Sequence, residues 1–492
     1  MSVRIPTSTG LLQFLKQATQ YPLSPARPSA VVYVVGNPSA DLDSIISAVL
    51  YSYFATSSSI PQREGHLSRF HVPVINLHDV PSGRELGRLR PEFATALKLA
   101  TKEGGSDEEQ NDKLLKDTIL TVADLRERLR LEDPRSERSK ITMDVVMVDW
   151  NALPVMTDGS RGIEGISDVD SDIRVSVKGC IDHHDDEKFV PPDTAPRRIQ
   201  TGVGSCMSLI VAELRSRGLW KETSIPATDN GVDGTSQTGS NEVTALIHES
   251  QAAKLALAAI LTDTTNMTAK DKVLETDRLA VSFLEDKIKQ AQDSSWNRDE
   301  FYGKIAEEKI SSVDKLTMQE ILGKDYKDWI DELSTPSSNE PQNIKLGICS
   351  VVKPLAWLMS KAAQEEDQPD SHRSPAHPFF DSLYNFARSK NLDAVAVMTA
   401  YTSQPHNQFH RELLVWLLNK THSQSFQRFE ALAIDQLALQ DWPSDSNEML
   451  NSTFLIKGSE GLDSLRIWQQ TDVTKSRKQV APLLRKVMTQ KL

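Results

Sequence analysis

Four runs of β-branched and other apolar residues dominate the first half of the chain: AVVYVVG (30–36), VPVIN (72–76), MDVVMVD (143–149) and IRVSVKGCID (173–182). Mostly continuous apolar runs of this kind belong to strands covered on both faces, as in a parallel sheet. Between and after them, apolar residues recur with a helical period near 44–55, 90–100, 115–131, 205–217 and 251–262. Strands alternating with helices predict a doubly wound α/β domain. Three polar insertions rich in Gly, Ser and Asp, at 103–112, 157–172 and 226–242, read as surface loops.

Beyond residue 275 the texture changes. A charged helical stretch (275–324) and the loop STPSSNEPQN (334–343) lead into a second alternating series. Its expected strands are KLGICSVV (345–352), DAVAVMTAY (393–401), RELLVWLL (411–418) and STFLIKG (452–458), with helices near 379–390, 425–439 and 480–491. The predicted organisation is a catalytic domain over 1–275, a helical linker with the start of the second domain over 276–335, and a smaller α/β domain over 336–492. A cleft between two such domains is the natural place for a ligand.

Composition narrows the class. With 39% hydrophobic and 25% charged residues in 492, the chain has the make-up of a soluble globular protein, and no apolar run approaches the roughly 18 to 20 residues of a membrane span. Three scattered cysteines, Cys180, Cys206 and Cys349, argue against a disulfide framework and for a reducing, cytoplasmic setting. A formal net charge of -12 disfavours general nucleic-acid binding, which calls for a broad basic surface. A small anionic substrate stays open, provided cations or a few basic residues reverse the field locally. The first 40 residues hold Arg4, Lys16 and Arg27 and no acid. That fits a transit peptide and a mitochondrial pool, but fits better a short helix capped by Ser8 or Thr9 that docks Leu11, Leu12, Phe14 and Leu15 on the domain.

The candidate chemistry lies where strands and helices end. Asp41 and Asp43 follow the first strand, Asp149 closes the third, Asp182-His183-His184 ends the fourth, and Asp263 ends the helix LALAAILTD. One aspartate after a strand is most often a helix cap or turn former. Two carboxylates spaced Asp-x-Asp, by contrast, repel each other unless a cation pairs them. Adjacent imidazoles point different ways, so one can bind metal while the other faces substrate. Ligands of an open parallel sheet gather at its carboxyl edge, and these groups are all expected there.

The same motifs carry a resemblance. GNPSADLDSI, MVDWN, CIDHHDD and ILTDTTNM resemble the four motifs of the DHH phosphoesterase superfamily, and TGVGSCMSLIVAEL resembles the turn and helix after the third. KSRKQVAPLL resembles the Ser-Arg-Lys signature of a DHHA2-type second domain, and GKDYKDW is a looser match to a lysine-bearing segment of that domain. Within the superfamily the chain is most similar to fungal exopolyphosphatases. Family II pyrophosphatases carry a metal-binding histidine where this chain has Asn37; the resemblance therefore shifts the expected substrate from pyrophosphate to longer polyphosphates. An oxygen-rich site also suits magnesium or manganese better than softer ions, with cobalt a further candidate.

The resemblance implies that Asp41, Asp43, Asp149, His183 and Asp263 hold two divalent cations, with Asp149 bridging them. It implies that His184, Lys327, Arg477 and Lys478 bind the phosphate and that Asp182 orients a neighbouring ligand. The expected activity is metal-dependent release of orthophosphate from the end of polyphosphate, by a monomer with no nucleic-acid or membrane partner. Two other readings remain: a pyrophosphatase or nucleotide or oligophosphate phosphodiesterase of the same superfamily, and a signalling scaffold. Substrate profiling separates the first, and a degraded metal set would mark the second.

Overall fold

The computed structural model describes residues 9–21, 31–57, 69–103, 108–132, 141–156, 159–167, 173–222, 237–270, 272–333, 343–366, 376–403, 405, 408–442 and 464–490. The expected strand at 452–458, most of the 334–343 loop and most of the 226–242 insertion lie outside these residues. The chain forms two compact units, Met1–Ser312 and Val313–Leu492. No described helix is long and apolar enough to cross a membrane.

The first unit is built on a parallel sheet of order β2-β1-β3-β4-β5. Its strands are β1 (Val31–Val35), β2 (Phe70–Val74), β3 (Ile141–Val148), β4 (Ile173–Asp182) and β5 (Arg197–Ile199). β1 to β4 match the four apolar runs of the sequence. In register, Val34 of β1 lies between Pro73 and Val146, and Val148 of β3 lies beside Ile181 of β4. The helices before β3 are α1 (Leu11–Gln20), α2 (Leu42–Ser57), α3 (Arg84–Leu89), α4 (Pro91–Thr101), α5 (Glu108–Thr118) and α6 (Val122–Glu132). Those after β5 are α7 (Cys206–Ser216), α8 (Gln237–Asp263), α9 (Glu275–Gln290) and α10 (Arg298–Ser311).

Two local differences from the sequence reading have simple causes. The single helix expected over 115–131 is two, because the Thr121 backbone and hydroxyl both donate to Asp124 Oδ2 and start a new helix at α6. α1 docks as expected, with Leu11, Phe14 and Leu15 buried, but its N-cap is Gly10, whose carbonyl accepts from the Phe14 amide. α8 is buried on every side from Ala252 to Leu261, as a helix at the centre of a large unit must be. α9 and α10, expected in a linker, fall within the first unit.

The second unit has a mixed sheet of order β11-β12-β10-β8-β7-β6, with β9 paired to β10. Its strands are β6 (Tyr326–Glu332), β7 (Asn343–Val351), β8 (Ala394–Thr399), β9 (Tyr401–Ser403), β10 (Gln408–Leu417), β11 (Leu439–Asp441) and β12 (Leu465–Gln470). Its helices are α11 (Met318–Lys324), α12 (Leu355–Gln364), α13 (His377–Ser389), α14 (Ser423–Gln436) and α15 (Arg477–Thr489). Leu346 and Ile348 of β7 and Ala396 of β8 pack with Phe429 of α14 and with Val480 and Leu484 of α15 in one core. β6 corrects the sequence reading, which placed Lys327 in a helical stretch. The segment is an edge strand, exposed at Asp328, Ile330 and Glu332, with Lys327 opposite Ile348.

Candidate metal centre

The carboxyl ends of β1, β3 and β4 each deliver one part of the site. After β1 the chain turns through Gly36 and Asn37 into α2. A Cβ on Gly36 would lie 2.0 Å from Ser44 Oγ, and that hydroxyl accepts from the Asn37 amide at 2.8 Å, so only glycine lets loop and helix close. Asp41 Oδ1 accepts from the Ser44 amide at 2.9 Å and caps α2. Asp43, in the first turn, is 1% exposed.

Asp43 is held by the start of α7. Ser205 Oγ and the Met207 amide donate to its Oδ1 at 2.9 and 3.0 Å, and the Cys206 amide donates to Oδ2 at 2.6 Å. A helix N-terminus favours a carboxylate. Even so, burial first, and then the charges of Asp263, Asp149 and Asp41, push the Asp43 carboxyl well above its ordinary range. Gly204 permits the approach from the other side: a Cβ there would meet Thr264 Cγ2 at 2.6 Å and the Lys272 carbonyl at 2.9 Å. That contact joins the entry of α7 to the turn that follows Asp263.

Asp149 follows β3 with φ 54°, a left-handed conformation that costs a non-glycine residue and marks functional sites. The same conformation recurs at Ala40 (φ 45°) and at Thr265, Asn266 and Met267 (φ 51°, 53° and 66°), within the first and fourth motifs. Asn37 Nδ2 donates to Asp149 Oδ2 at 2.6 Å, while its own Oδ1 accepts from Ser39 Oγ and the Ala40 amide at 2.5 and 3.2 Å. Asn37 thus uses both ends of its amide to fix Asp149 in place.

The two histidines after β4 are oriented by different partners. His183 Nδ1 lies 3.0 Å from the Val203 carbonyl, an acceptor only, so in the neutral ring Nδ1 carries the proton. Nε2 then presents its lone pair to the site, 3.3 Å from Asp149 Oδ1. This is the usual posture of a metal-binding histidine. His184 stands edge-on to it, with ring planes at 88° and centroids 4.6 Å apart. Its Nδ1 is 2.8 Å from Asp182 Oδ1 and 3.5 Å from Asp149 Oδ1, and its side chain is 29% exposed. Asp182 also accepts from the amides of His183 and His184 and from Asn151 Nδ2. Burial pushes the Asp182 pKa up, but His184 and these donors outweigh it, and the net direction is down.

Among the described residues the outcome is two groups of converging donors, Asp149–His183–His184 and Asp43–His183–Asp263, each with ligand atoms within 4.8 Å of one another. His183 belongs to both. Four of the five expected metal ligands therefore come together. Asp41 is in neither group, and His184, expected to face substrate, joins the first. The donor set fits hard divalent cations: clustered carboxylates, of which Asp43 is pushed above its ordinary range by burial and its neighbours, with a pre-oriented imidazole beside them.

In the second unit, Arg477 is the first residue of α15, whose N-cap Ser476 and Gln479 form a capping box. The helix thus begins before Pro482, which lies inside it. Arg477 Nη1 is 2.9 Å from Asp325 Oδ1 and donates to Ser350 Oγ at 3.2 Å, whereas Lys478 is exposed. Four supporting features escape a sequence reading: the cap on Asp43 from 205–207, the Val203 carbonyl, Asn151, and buried Arg90, which donates to the Ser39 carbonyl. Asn151 and residues 203–207 lie in the motifs MVDWN and TGVGSCMSLIVAEL, which did not show their contacts; Arg90 had no local signal.

Comparison with known families gives two matches: the DHH family N-terminal domain over residues 31–231 and the DHHA2 domain over 305–487. The chain is 26% identical over 454 residues to a Schizosaccharomyces pombe protein described as "Putative exopolyphosphatase", covering 92% of this chain and 89% of that one. Among solved structures it is similar to a Methanococcus jannaschii protein titled "putative family II inorganic pyrophosphatase", with TM-score 0.47 and 16% identity, covering 93% of this chain and 99% of that one.

Proposed function

We propose that this DHH-family phosphoesterase releases orthophosphate from the end of inorganic polyphosphate. The observation that carries the chemistry is His183, shared by two converging donor groups. Asp149, His183, Asp43 and Asp263 would hold two divalent cations, magnesium or manganese, with Asp41 adding the oxygen not used to cap α2. Such ions, when bound, acidify water toward neutral pH and neutralise phosphoryl oxygens. The substrate class is supported by the exopolyphosphatase description of the relative and by Asn37, which stands where pyrophosphatases carry a histidine.

The remaining steps belong to the chain's own groups. Asn37 keeps Asp149 in a single orientation. Asp182 fixes the His184 ring through Nδ1, and in the doubly protonated ring Nε2 would donate to a phosphoryl oxygen. Four carboxylates balance the charge of two divalent cations, so a polyanion needs further positive charge. Lys327, Arg477 and Lys478 would supply it, the arginine as a bidentate fork and the lysines as point charges. Such contacts count most where charge builds on the transferring phosphoryl group.

The test is phosphate release from long-chain polyphosphate, tripolyphosphate, pyrophosphate and a nucleoside tetraphosphate, each with magnesium or manganese. Turnover of the long chain is expected to exceed that of pyrophosphate. Faster release from pyrophosphate or from the nucleotide would replace the substrate assignment, and no release from any of the four would remove the enzyme reading.

A further inference from the structure

A second charged cavity lies in the first unit, away from the donors of the metal centre. Its volume is about 280 Å³, and four lysines, Lys98, Lys102, Lys254 and Lys304, line it against two carboxylates, Asp293 and Glu300. Lys304 pairs with Glu300 at 2.7 Å, which leaves Lys254 and Lys102 with the single carboxylate of Asp293, within a chain of net charge -12. Lys254 is 3% exposed. A buried ammonium is costly unless matched, and Lys254 is matched by Asp293, but that carboxylate also pairs with Lys102 at 3.2 Å. One carboxylate shared by two ammonium groups leaves positive charge for a second anion.

Two further features belong to the residues of this lining. Trp296 lines the cavity, and its indole Nε1, a donor only, is buried without a hydrogen-bond partner among the described residues. Phe301 and Leu99 add an apolar wall. The N-cap of α10, Asn297, is also in the lining, so the first turn of that helix borders the cavity.

We propose that this cavity binds a phosphate-bearing anion at a site separate from the metal centre. Lys254 and Asp263 both lie on α8, nine residues apart, which is about 14 Å along the axis and half a turn round it at 100° per residue. The cavity and Asp263 therefore occupy opposite faces of the helix, and one extended ligand does not run straight from one to the other. The assignment stands on the cavity's charge and donors and does not depend on which phosphate the metal centre hydrolyses. Inorganic oligophosphate and a nucleoside phosphate share the recognising chemistry, and the aromatic wall gives a flat base a place to pack.

The test is calorimetric titration of the full-length protein with orthophosphate, tripolyphosphate and ATP, with and without EDTA. Binding of at least one probe is expected to persist in EDTA and in Asp149→Asn. Lys102→Gln combined with Lys304→Gln should weaken it at least about tenfold. Trp296→Phe, which keeps the ring and removes the N–H, should weaken it about threefold. ATP binding more tightly than tripolyphosphate would name a nucleotide, and the reverse an inorganic chain. The proposal is overturned if no probe binds in EDTA, if Asp149→Asn abolishes binding, or if both cavity variants bind as the wild type does.

Discussion

At the carboxyl edge of the first sheet Asp43 sits among Asp41, Asp149 and Asp263, and its carboxyl is driven toward the protonated form. At the start of α15 the opposite holds: Arg477 already has a carboxylate, Asp325, 2.9 Å away. The first region gathers like charges that only a cation reconciles. The second is locally balanced and holds its guanidinium in one place through Asp325 and Ser350. In the proposed reading the contrast separates two jobs, metal binding and phosphate recognition, and that separation can be broken experimentally.

The largest effect is expected at Asp149 and at His183, the donor common to both groups. Asp149→Asn and His183→Ala should each lower phosphate release by at least about a thousandfold, roughly 4 kcal/mol, with circular dichroism unchanged. Near-normal turnover in either variant at saturating metal would show that the two groups do not form the centre. Arg477→Ala and Asn37→Ala come next, each at about tenfold in kcat, or roughly 1.4 kcal/mol. They sharpen the comparison because they should differ in metal binding. Removing Asn37 takes away its hydrogen bond to Asp149 Oδ2 and should weaken manganese binding, while Arg477→Ala should leave it unchanged. An Arg477 variant that loses metal affinity but keeps kcat would place that residue in structure instead.

The smallest effect is a pH dependence. An acid whose pKa is higher in the folded chain than in the unfolded one stabilises the fold fully at low pH. That contribution is lost as pH rises through the folded value. The metal-free protein should therefore lose the Asp43 contribution on going toward neutral pH, and a bound cation, which needs the carboxylate ionised, should restore it. The rise in Tm on adding magnesium should be larger at pH 7 than at pH 5 in matched thermal melts. A rise that is equal at the two pH values would argue that Asp43 does not compete with protons for the cation.

Much of this was legible in the chain itself. Buried parallel strands announce themselves as β-branched runs, and the groups that follow them are fixed in place by topology, which is why Asp43, Asp149 and His183 could be read together. The alternation in Tyr326–Glu332 is also a strand signal, but its charged residues masked it as a solvated helix. Long-range hydrogen bonds left no local trace. The cap on Asp43 comes from residues more than 160 positions away, and the partner of Arg477 lies 152 positions back. Asn37 illustrates the same limit, because its residue type suggested a missing ligand while its contacts show a clamp on Asp149.

The account turns on two cations held in one centre, with His183 Nε2 giving its single lone pair to one of them, and manganese paramagnetic resonance tests that most directly. Titration of the metal-free protein should end at two ions per chain, with the exchange-coupled spectrum of a pair about 3.5 to 4 Å apart, and His183→Ala should abolish the coupling. A wild-type end point of one ion per chain, or two ions with uncoupled spectra, would contradict it.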